Sequence, residues 1–394
     1  MPRLSSRFLS LPDYSLAAIP QRKRELLARG VDVIDLGAGD ADLAPPQVAV
    51  EALARAAREP AMSRYGFGLG LPEFRRAVAE WMARRFGVTV EPLREVVPLL
   101  GSKEGLAHIA LGYLERGEVA IVPEPGYLPY VGGTLLADGT PWVHALRAER
   151  DFLLELDDIP ADVLRRARLV YVNYPNNPTA ATAPLEYLER LVARCRELDL
   201  LLVYDNAYSE LAFDGYRPPS IFEIPGARDV AIEFHSLSKT YNMTGWRCGW
   251  AVARPEIAGT LAKVKSFVDT GAFLAVQAAG AAALGVWEEF VPRNVAVFAE
   301  RRDAAVRAFR AAGFACEAPR ATMYLWLPLP AGIASAAFTE RLLSEEGVVV
   351  TPGSAFGAAG EGFIRVSFIT SPGRIAEAAG RAGRVLAGSG AGIA

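Results

Sequence analysis

The stretch that decides the fold is HSLSKTYNMTGWRCGW, residues 235–250. It places Lys239 between two apolar runs, Val230–Phe234 and Trp250–Ala253, which are typical of buried strands. An ammonium in apolar surroundings is costly unless another group compensates for it, and in enzymes that cost is usually tied to function. Lys239 is therefore the first candidate for a catalytic residue.

Apolar, β-branched runs continue on the N-terminal side of this stretch. Val119–Val122, Leu169–Val172 and Leu200–Tyr204 alternate with longer helical patterns such as residues 184–199. Alternation of this kind predicts βαβ units and a mostly parallel sheet. Because the strands are apolar throughout, we expect helices on both faces of the sheet.

The pattern changes after about residue 285. A long helical pattern over residues 288–312 precedes shorter strand-like runs, Met323–Leu327, Val348–Thr351 and Phe363–Phe368, and a last helix from Pro372. We predict an α/β protein with a three-layer αβα large domain, residues 45–285. A smaller α+β domain would combine residues 1–44 with residues 286–394.

Composition excludes several classes of protein. A net charge of −3 over 394 residues argues against nucleic-acid binding, which usually shows a clustered basic face. The three cysteines, Cys195, Cys248 and Cys316, are scattered, which excludes a disulfide framework and favours a reducing compartment. The N-terminus lacks an apolar signal region, and the sequence has no run of about 18 apolar residues. We therefore expect a cytoplasmic protein that does not bind membranes.

Other chemistries explain fewer residues around Lys239. Ser236-Leu-Ser-Lys239 matches the S-x-x-K motif of penicillin-binding proteins, but no K-T-G follows it. The chain contains no H-E-x-x-H, G-x-S-x-G or P-loop motif, and its three histidines are scattered, so no metal site is expected. A structural lysine that extends to solvent remains the simplest non-functional interpretation.

A lysine can also bind an aldehyde cofactor such as pyridoxal phosphate (PLP) covalently. Such a site needs a carboxylate near the ring nitrogen, donors to the ring hydroxyl, a flat group against the ring and a phosphate pocket. Candidates for these groups follow strand ends, where open α/β sheets bind ligands: Asp205, Tyr208, the loop 175–178, the helix start at 101–103, Tyr127 and Arg247. Each has an ordinary structural explanation when taken alone, as a cap or a turn, and the combination is what indicates a PLP site.

At this point the chain resembles the fold-type I, class I/II aminotransferases along nearly its full length, and most of all the LL-diaminopimelate aminotransferase group. The matching stretches, in order, are PQRKRELLARGVDVIDLGAGD, GLPEFRRAVAEWMARRFGV, LLGSKEGLAHIALGYL, VPEPGYLPY, NYPNNPT, YDNAYSELAFDGYRPPS, FHSLSKTYNMTGWRCGWAVA and VVVTPGSAFGAAGEGFIRVSF. Ala180 stands where the family usually has glycine, and the loop Tyr65–Gly70 differs from that of the diaminopimelate enzymes.

The resemblance implies a role for each matching position. Lys239 would hold the cofactor and move the proton at the substrate Cα, and Asp205 would keep the ring nitrogen protonated. Tyr208 and Asn177 would hydrogen-bond the ring oxygen, and Tyr127 would stack on the ring. The phosphate would be bound by Ser102, Lys103, Ser236 and Arg247 of the same subunit. Tyr65 of the partner subunit would join them. The substrate carboxylate would be bound by Arg365, Gly39 and Asn177.

The resemblance also implies a ping-pong transamination in a homodimer with shared active sites. An L-amino acid and a 2-oxo acid would be the substrates, with glutamate and 2-oxoglutarate as one pair and LL-diaminopimelate as a candidate for the other. Aspartate, alanine or aromatic amino-acid aminotransferases, and a PLP lyase or synthase on the same fold, remain alternatives. A ligand-sensing half of a transcription regulator would need a helix-turn-helix extension, for which the short N-terminal segment leaves no room.

Overall fold

The structure is a computed structural model that describes residues 2–12, 19–67 and 69–390. Its strands are β1 (Ile34–Asp35), β2 (Val96–Leu99), β3 (Val119–Glu124), β4 (Thr140–Ala145), β5 (Ala167–Asn173), β6 (Leu201–Asp205), β7 (Ala231–Ser236), β8 (Gly249–Ala253), β9 (Tyr324–Pro328), β10 (Val348–Val349), β11 (Thr351–Pro352) and β12 (Phe363–Ser367). Its α-helices are α1 (Ser6–Leu9), α2 (Ile19–Ala28), α3 (Gln47–Ala56), α4 (Pro72–Phe86), α5 (Pro92–Glu95), α6 (Ser102–Tyr113), α7 (Pro129–Leu136), α8 (Ala161–Arg166), α9 (Leu185–Leu198), α10 (Ala227–Val230), α11 (Leu237–Thr240), α12 (Pro255–Val268), α13 (Leu274–Gly285), α14 (Trp287–Ala311), α15 (Ser335–Glu346) and α16 (Pro372–Gly390).

A seven-stranded sheet forms the centre of the molecule, in the order β2-β8-β7-β6-β5-β3-β4. Strands β3 to β7 pair in parallel, and β8 runs antiparallel to both β7 and β2. The strands β6, β7 and β8 are buried along their whole length because helices cover both faces. The predicted α/β class with a mostly parallel sheet is confirmed.

A second, three-stranded antiparallel sheet has the order β11-β12-β9. It packs with α14, α15 and α16 around a core that includes Phe298, Phe309, Phe338 and Ile375. Strand β1, from the N-terminal part of the chain, pairs in parallel with β10 nearby. These elements lie in the region assigned to the small domain, and the boundaries at residues 45 and 285 stay a prediction.

Two strands of the large sheet were missed in the sequence. Strand β2 contains Pro98 and strand β4 contains Pro141, and both strands lie at the edges of the sheet, where a missing N–H donor is tolerated. Strand β4 is also largely half-exposed or exposed, so it lacks the apolar run of the inner strands.

Among the described residues, no single helix has the length and apolar character needed to cross a membrane. The bent pair α13 and α14, with 82° between the two helices, meets the length and composition criteria only when both are taken together.

Candidate active site

The carboxyl ends of the parallel strands open into a cavity of about 690 Å³. Strand β6 contributes Asp205 as its last residue, β5 contributes Asn173 and β7 contributes Ser236. Eleven of the twelve predicted site residues line this cavity: Gly39, Ser102, Lys103, Tyr127, Asn177, Asp205, Tyr208, Ser236, Lys239, Arg247 and Arg365.

Lys239 lies on a short excursion between two paired strands. Ser236 of β7 and Gly249 of β8 face each other in the sheet, and the chain between them forms α11 and a turn. The Lys239 ammonium donates a hydrogen bond to the carbonyl oxygen of Gly39. A neutral carbonyl satisfies one donor of the ammonium but does not neutralise its charge. The amine is therefore held in the cavity by a hydrogen bond to a neutral group, which it can exchange for a covalent bond to a cofactor.

Asp205 has one oxygen in use and one unused. Its Oδ2 accepts a hydrogen bond from the Tyr130 hydroxyl at 2.8 Å, whereas its Oδ1 is buried and has no hydrogen-bond partner among the described residues. Burial raises the pKa of Asp205 to about 6, although the Tyr130 hydrogen bond opposes the shift. A buried carboxylate oxygen without a donor, facing a cavity, is the acceptor that a protonated ring nitrogen requires.

This raised pKa predicts how Asp205→Asn changes the stability of the cofactor-free protein. Between about pH 4 and pH 6 the folded carboxyl keeps a proton that the unfolded carboxyl has already lost, so stability falls as the pH rises. The asparagine variant lacks this loss, and its stability relative to the wild type should rise by about 2 kcal/mol between about pH 4 and pH 7. Urea unfolding of both cofactor-free proteins at about pH 4 and about pH 7 measures this difference in the free energy of unfolding. The exposed Asp162→Asn variant is the control, and an equal pH dependence for wild type and Asp205→Asn would refute the assignment.

Arg365 lines the same cavity as Asp205. It comes from β12 and is 5 % exposed. Its guanidinium donates to Asn177 Oδ1 at 2.8 Å and to the Gly37 carbonyl at 2.7 Å, while its buried Nε has no partner. No carboxylate of the described residues lies within ion-pair distance of it. A buried guanidinium that faces a cavity and lacks a counter-charge favours an anionic ligand.

Aromatic rings fix the orientation of this arginine. The guanidinium carbon lies 4.3 Å from the centre of the Tyr324 ring and 4.9 Å from that of Phe356. The Tyr324 hydroxyl also forms a 2.8 Å hydrogen bond with the Tyr208 hydroxyl. Burial and the neighbouring Tyr324 hydroxyl hold the pKa of Tyr208 well above its ordinary value. Tyr208 is therefore neutral and able to donate a hydrogen bond at physiological pH.

The region that would hold a phosphate is formed by the start of α6. Ser102 and Lys103 begin this helix, whose first N–H groups have no partner within the helix. The Arg247 guanidinium lies against Gly101: a Cβ at Gly101, where φ is +75°, would come within 2.5 Å of Arg247 Nη2. Ser236 adds a hydroxyl, which accepts a hydrogen bond from the Ser238 N–H at 3.1 Å. Two cations, a helix start and a hydroxyl suit a phosphate dianion.

Tyr65 does not line the cavity of its own subunit. It is 74 % exposed and packs against Phe67, with the ring centres 5.7 Å apart. A position outside the subunit's own cavity agrees with a side chain that serves a partner subunit, which was its predicted role, and that role stays a prediction.

Ala180 adopts a left-handed conformation, with φ at +60°. Its N–H donates to the Asn176 carbonyl at 2.9 Å, and the Asn176 N–H donates to the Ala181 carbonyl at 2.9 Å. These two hydrogen bonds close the turn behind Asn177 even though alanine at this φ costs roughly 1 kcal/mol relative to glycine.

Several side chains of the site were missed in the sequence. Asn173 binds the Asp205 carbonyl through Nδ2 at 2.7 Å and the Asn177 N–H through Oδ1 at 2.7 Å. Its position at the end of β5 was an available signal, the same one that selected Asp205. Tyr130 and Tyr324 had no comparable sequence signal. They reach the site from α7 and β9, and in the sequence each is indistinguishable from an ordinary aromatic residue of the core.

The residues fit PLP on the structure alone. The unpartnered Asp205 Oδ1, the Lys239 amine and the phosphate region at α6 and Arg247 lie around one cavity of suitable size. The unpartnered Arg365 Nε provides a separate position for a substrate carboxylate.

Comparison with known proteins leads to the same chemistry. Residues 31–381 match the family model "Aminotransferase class I and II". The chain is 47 % identical over 380 residues to the LL-diaminopimelate aminotransferase of Moorella thermoacetica, covering 96 % of this chain and 97 % of that protein. Among solved structures, substrate-bound BacF from Bacillus subtilis superposes with a TM-score of 0.93 at 33 % identity, with 98 % of each chain covered. A mutant aspartate aminotransferase from Thermus thermophilus gives 0.90 at 30 % identity, covering 98 % of this chain and 100 % of that one.

The match extends over the central sheet, the small sheet and the cavity that lies at their junction. The expected fold type, cofactor and reaction class are confirmed by it. The chain therefore belongs to the class I and II aminotransferases, the PLP-dependent transaminases of fold type I.

Proposed function

We propose that this transaminase exchanges an amino group between glutamate or 2-oxoglutarate and a second amino-acid pair, with LL-diaminopimelate as the leading candidate for the second donor. The observation that carries the proposal is the pair of unpartnered buried atoms, Asp205 Oδ1 and Arg365 Nε, in the same cavity as the Lys239 amine. The identity of about 47 % with enzymes of that name supports the choice of donor.

Each residue has a task that its contacts support. When bound, PLP supplies a carbonyl that accepts the amino group and a ring that takes up electrons from the substrate. Arg365 binds the α-carboxylate and thereby orients the Cα hydrogen, with Asn177 and the Gly39 backbone beside it. The Lys239 amine, in the same cavity, would remove the proton from Cα as general base and deliver a proton as general acid.

The remaining groups keep the cofactor in place and in the correct charge state. The unpartnered Asp205 Oδ1 would accept a hydrogen bond from a protonated ring nitrogen, and the Tyr208 hydroxyl would donate one to the ring oxygen. Tyr127 would cover the ring and exclude water from it. Ser102, Lys103, Ser236 and Arg247 would hold the phosphate.

We further propose a cytoplasmic homodimer in which Tyr65 contributes to the partner subunit's phosphate pocket. The exposed side chains around Tyr65 support this assembly, because Phe67 is 73 % and Leu69 60 % exposed in the isolated chain. Arg247 is also exposed in the isolated chain, as expected for a group that a second subunit covers. The division into domains at residues 45 and 285 belongs to the same proposal.

The substrate assignment is tested by mixing the purified PLP form with one amino acid at a time and no oxo acid. Amino-acid substrates should convert the bound cofactor to its amino form, measured as a change in absorbance, and 2-oxoglutarate should reverse it. Glutamate and LL-diaminopimelate should react with the highest second-order rate constants among a panel that includes aspartate, alanine and phenylalanine. A preference of more than about tenfold for one of the other three would replace the donor, and consumption of substrate without the amino form would indicate a lyase or synthase.

A further inference from the structure

Lys265 is a fully buried cation that the reaction does not use. It lies on α12 with a side chain that is 0 % exposed, and it is absent from the lining of the active-site cavity. Its ammonium forms ion pairs with Glu104 and with Asp269, the latter at 3.1 Å. His108 contacts the other oxygen of Glu104 at 2.8 Å. The ammonium thus pairs with two half-buried carboxylates from different helical regions, and removing it would take a counter-charge away from both.

One end of this cluster reaches the phosphate region. Glu104 lies in the first turn of α6, and its Oε1 accepts a hydrogen bond from the Leu100 N–H at 3.1 Å. The Leu100 carbonyl in turn accepts a hydrogen bond from Arg247 Nη2 at 3.2 Å. Burial alone would raise the pKa of Glu104, but His108 and Lys265 outweigh it and the pKa lies below its ordinary value. Glu104 is therefore ionised and fixes the turn that leads into Ser102.

The other end reaches the loop that carries Tyr65. Asp269 Oδ1 accepts a hydrogen bond from the Gly271 N–H at 2.7 Å, which fixes the link between α12 and α13. Ala272, the next residue of this link, accepts a hydrogen bond through its carbonyl from Gln277 Nε2 of α13 at 2.8 Å. Gln277 Oε1 in turn accepts a hydrogen bond from the Leu71 N–H at 2.7 Å.

The loop lies directly against this glutamine and the start of α13. A Cβ at Gly70 would come within 2.6 Å of Gln277 Oε1, and one at Gly66 within 3.0 Å of Leu274 Cδ2. Gln277 is 1 % exposed. The loop that presents Tyr65 is therefore anchored on a side chain that is held, through the α12–α13 link, by the buried ammonium.

We propose that Glu104, Lys265, Asp269 and Gln277 form a coupling chain that ties the phosphate turn of one subunit to the loop serving the partner subunit's phosphate pocket. This inference rests on the shared-site dimer proposed above. Lys265 and Gln277 are positioning residues, because neither lines the cavity. A cofactor that orders the phosphate turn in one subunit also orders the Tyr65 loop, so the second cofactor binds more tightly than the first.

Hybrid dimers test the direction of this coupling. One subunit carries Lys239→Ala, so that it is inactive but still supplies its Tyr65 loop, and the other is wild type at position 239; two different affinity tags allow purification of the hybrid. Gln277→Leu is then placed either in the loop-supplying subunit or in the active one. The measured quantity is the dissociation constant of PLP at the single active site, from recovery of activity. Gln47→Leu, on an exposed side chain of α3, is the matched control.

We expect Gln277→Leu in the loop-supplying subunit to raise that constant about tenfold, and the same change in the active subunit to raise it less than about twofold. Lys265→Met should raise this dissociation constant in either placement, because Lys265 pairs both with Glu104, next to the phosphate turn, and with Asp269, which fixes the link leading to the loop. In the wild-type background it should lower the Hill coefficient of PLP binding towards one. If Gln277→Leu changed the dissociation constant equally in both placements, or in neither, the coupling would be overturned. Gln277 would then have only a structural role. An unmodified hybrid that has no activity, or a protein that is monomeric at assay concentration, would instead refute the shared-site dimer, and the coupling with it.

Discussion

Replacement of Lys239 by alanine is expected to abolish transamination, with a loss of at least about 10⁴-fold in kcat. The variant loses the amine that binds the cofactor and, at the same time, the base that moves the Cα proton. The surrounding cavity should persist, because Lys239 makes one hydrogen bond, to the Gly39 carbonyl, and is not fully buried. Steady-state assays measure the activity, and mass spectrometry after borohydride reduction measures the covalently bound cofactor.

The matched control is Lys263→Ala, which removes an exposed lysine from α12. It should keep wild-type activity and one reducible cofactor per chain. Activity of Lys239→Ala within about tenfold of wild type, or cofactor still attached at another lysine, would show that the covalent position has been assigned to the wrong residue.

The second large effect is expected for Arg365→Lys, which should raise KM for amino-acid substrates by about 10- to 100-fold. An ammonium cannot present two parallel N–H donors to a carboxylate, and it loses the planar packing between Tyr324 and Phe356. The remaining positive charge should preserve part of the binding. Single-turnover rates against substrate concentration separate this loss from a change in the chemical step.

Two comparisons isolate the contact with the carboxylate. Arg58→Lys, at an exposed position just after α3, controls for the exchange of an arginine for a lysine. An amine that lacks an α-carboxylate should react at the same low rate with wild type and Arg365→Lys. A KM that does not change in Arg365→Lys would mean that the substrate carboxylate binds elsewhere.

The sequence predicted the large sheet and most of the cavity because both depend on local patterns. Asp205, Ser236 and Lys239 follow apolar strands, and the carboxyl ends of parallel strands must meet at one edge. Arg365 was assigned through the family resemblance, since nothing in Phe363–Phe368 alone distinguishes a ligand from a buried core residue.

What could not be predicted arises from contacts between distant segments. The Tyr130 hydrogen bond to Asp205 and the Tyr324 hydrogen bond to Tyr208 join residues 75 and 116 positions apart. Each tyrosine fits a core position equally well, so only the folded geometry shows which group its hydroxyl meets. The antiparallel β8 and the proline-containing edge strands β2 and β4 depend in the same way on which neighbours they find in the sheet.

The excursion between Ser236 and Gly249 has a consequence for how this protein can be altered. The residue assigned to hold the cofactor covalently and one of the cations assigned to its phosphate both lie on this segment, whose two ends are clamped opposite each other in the sheet. An insertion or deletion within it would displace at least one of the two attachments relative to the cavity. Recombination between related enzymes should therefore inherit this segment whole, with crossover points only outside it.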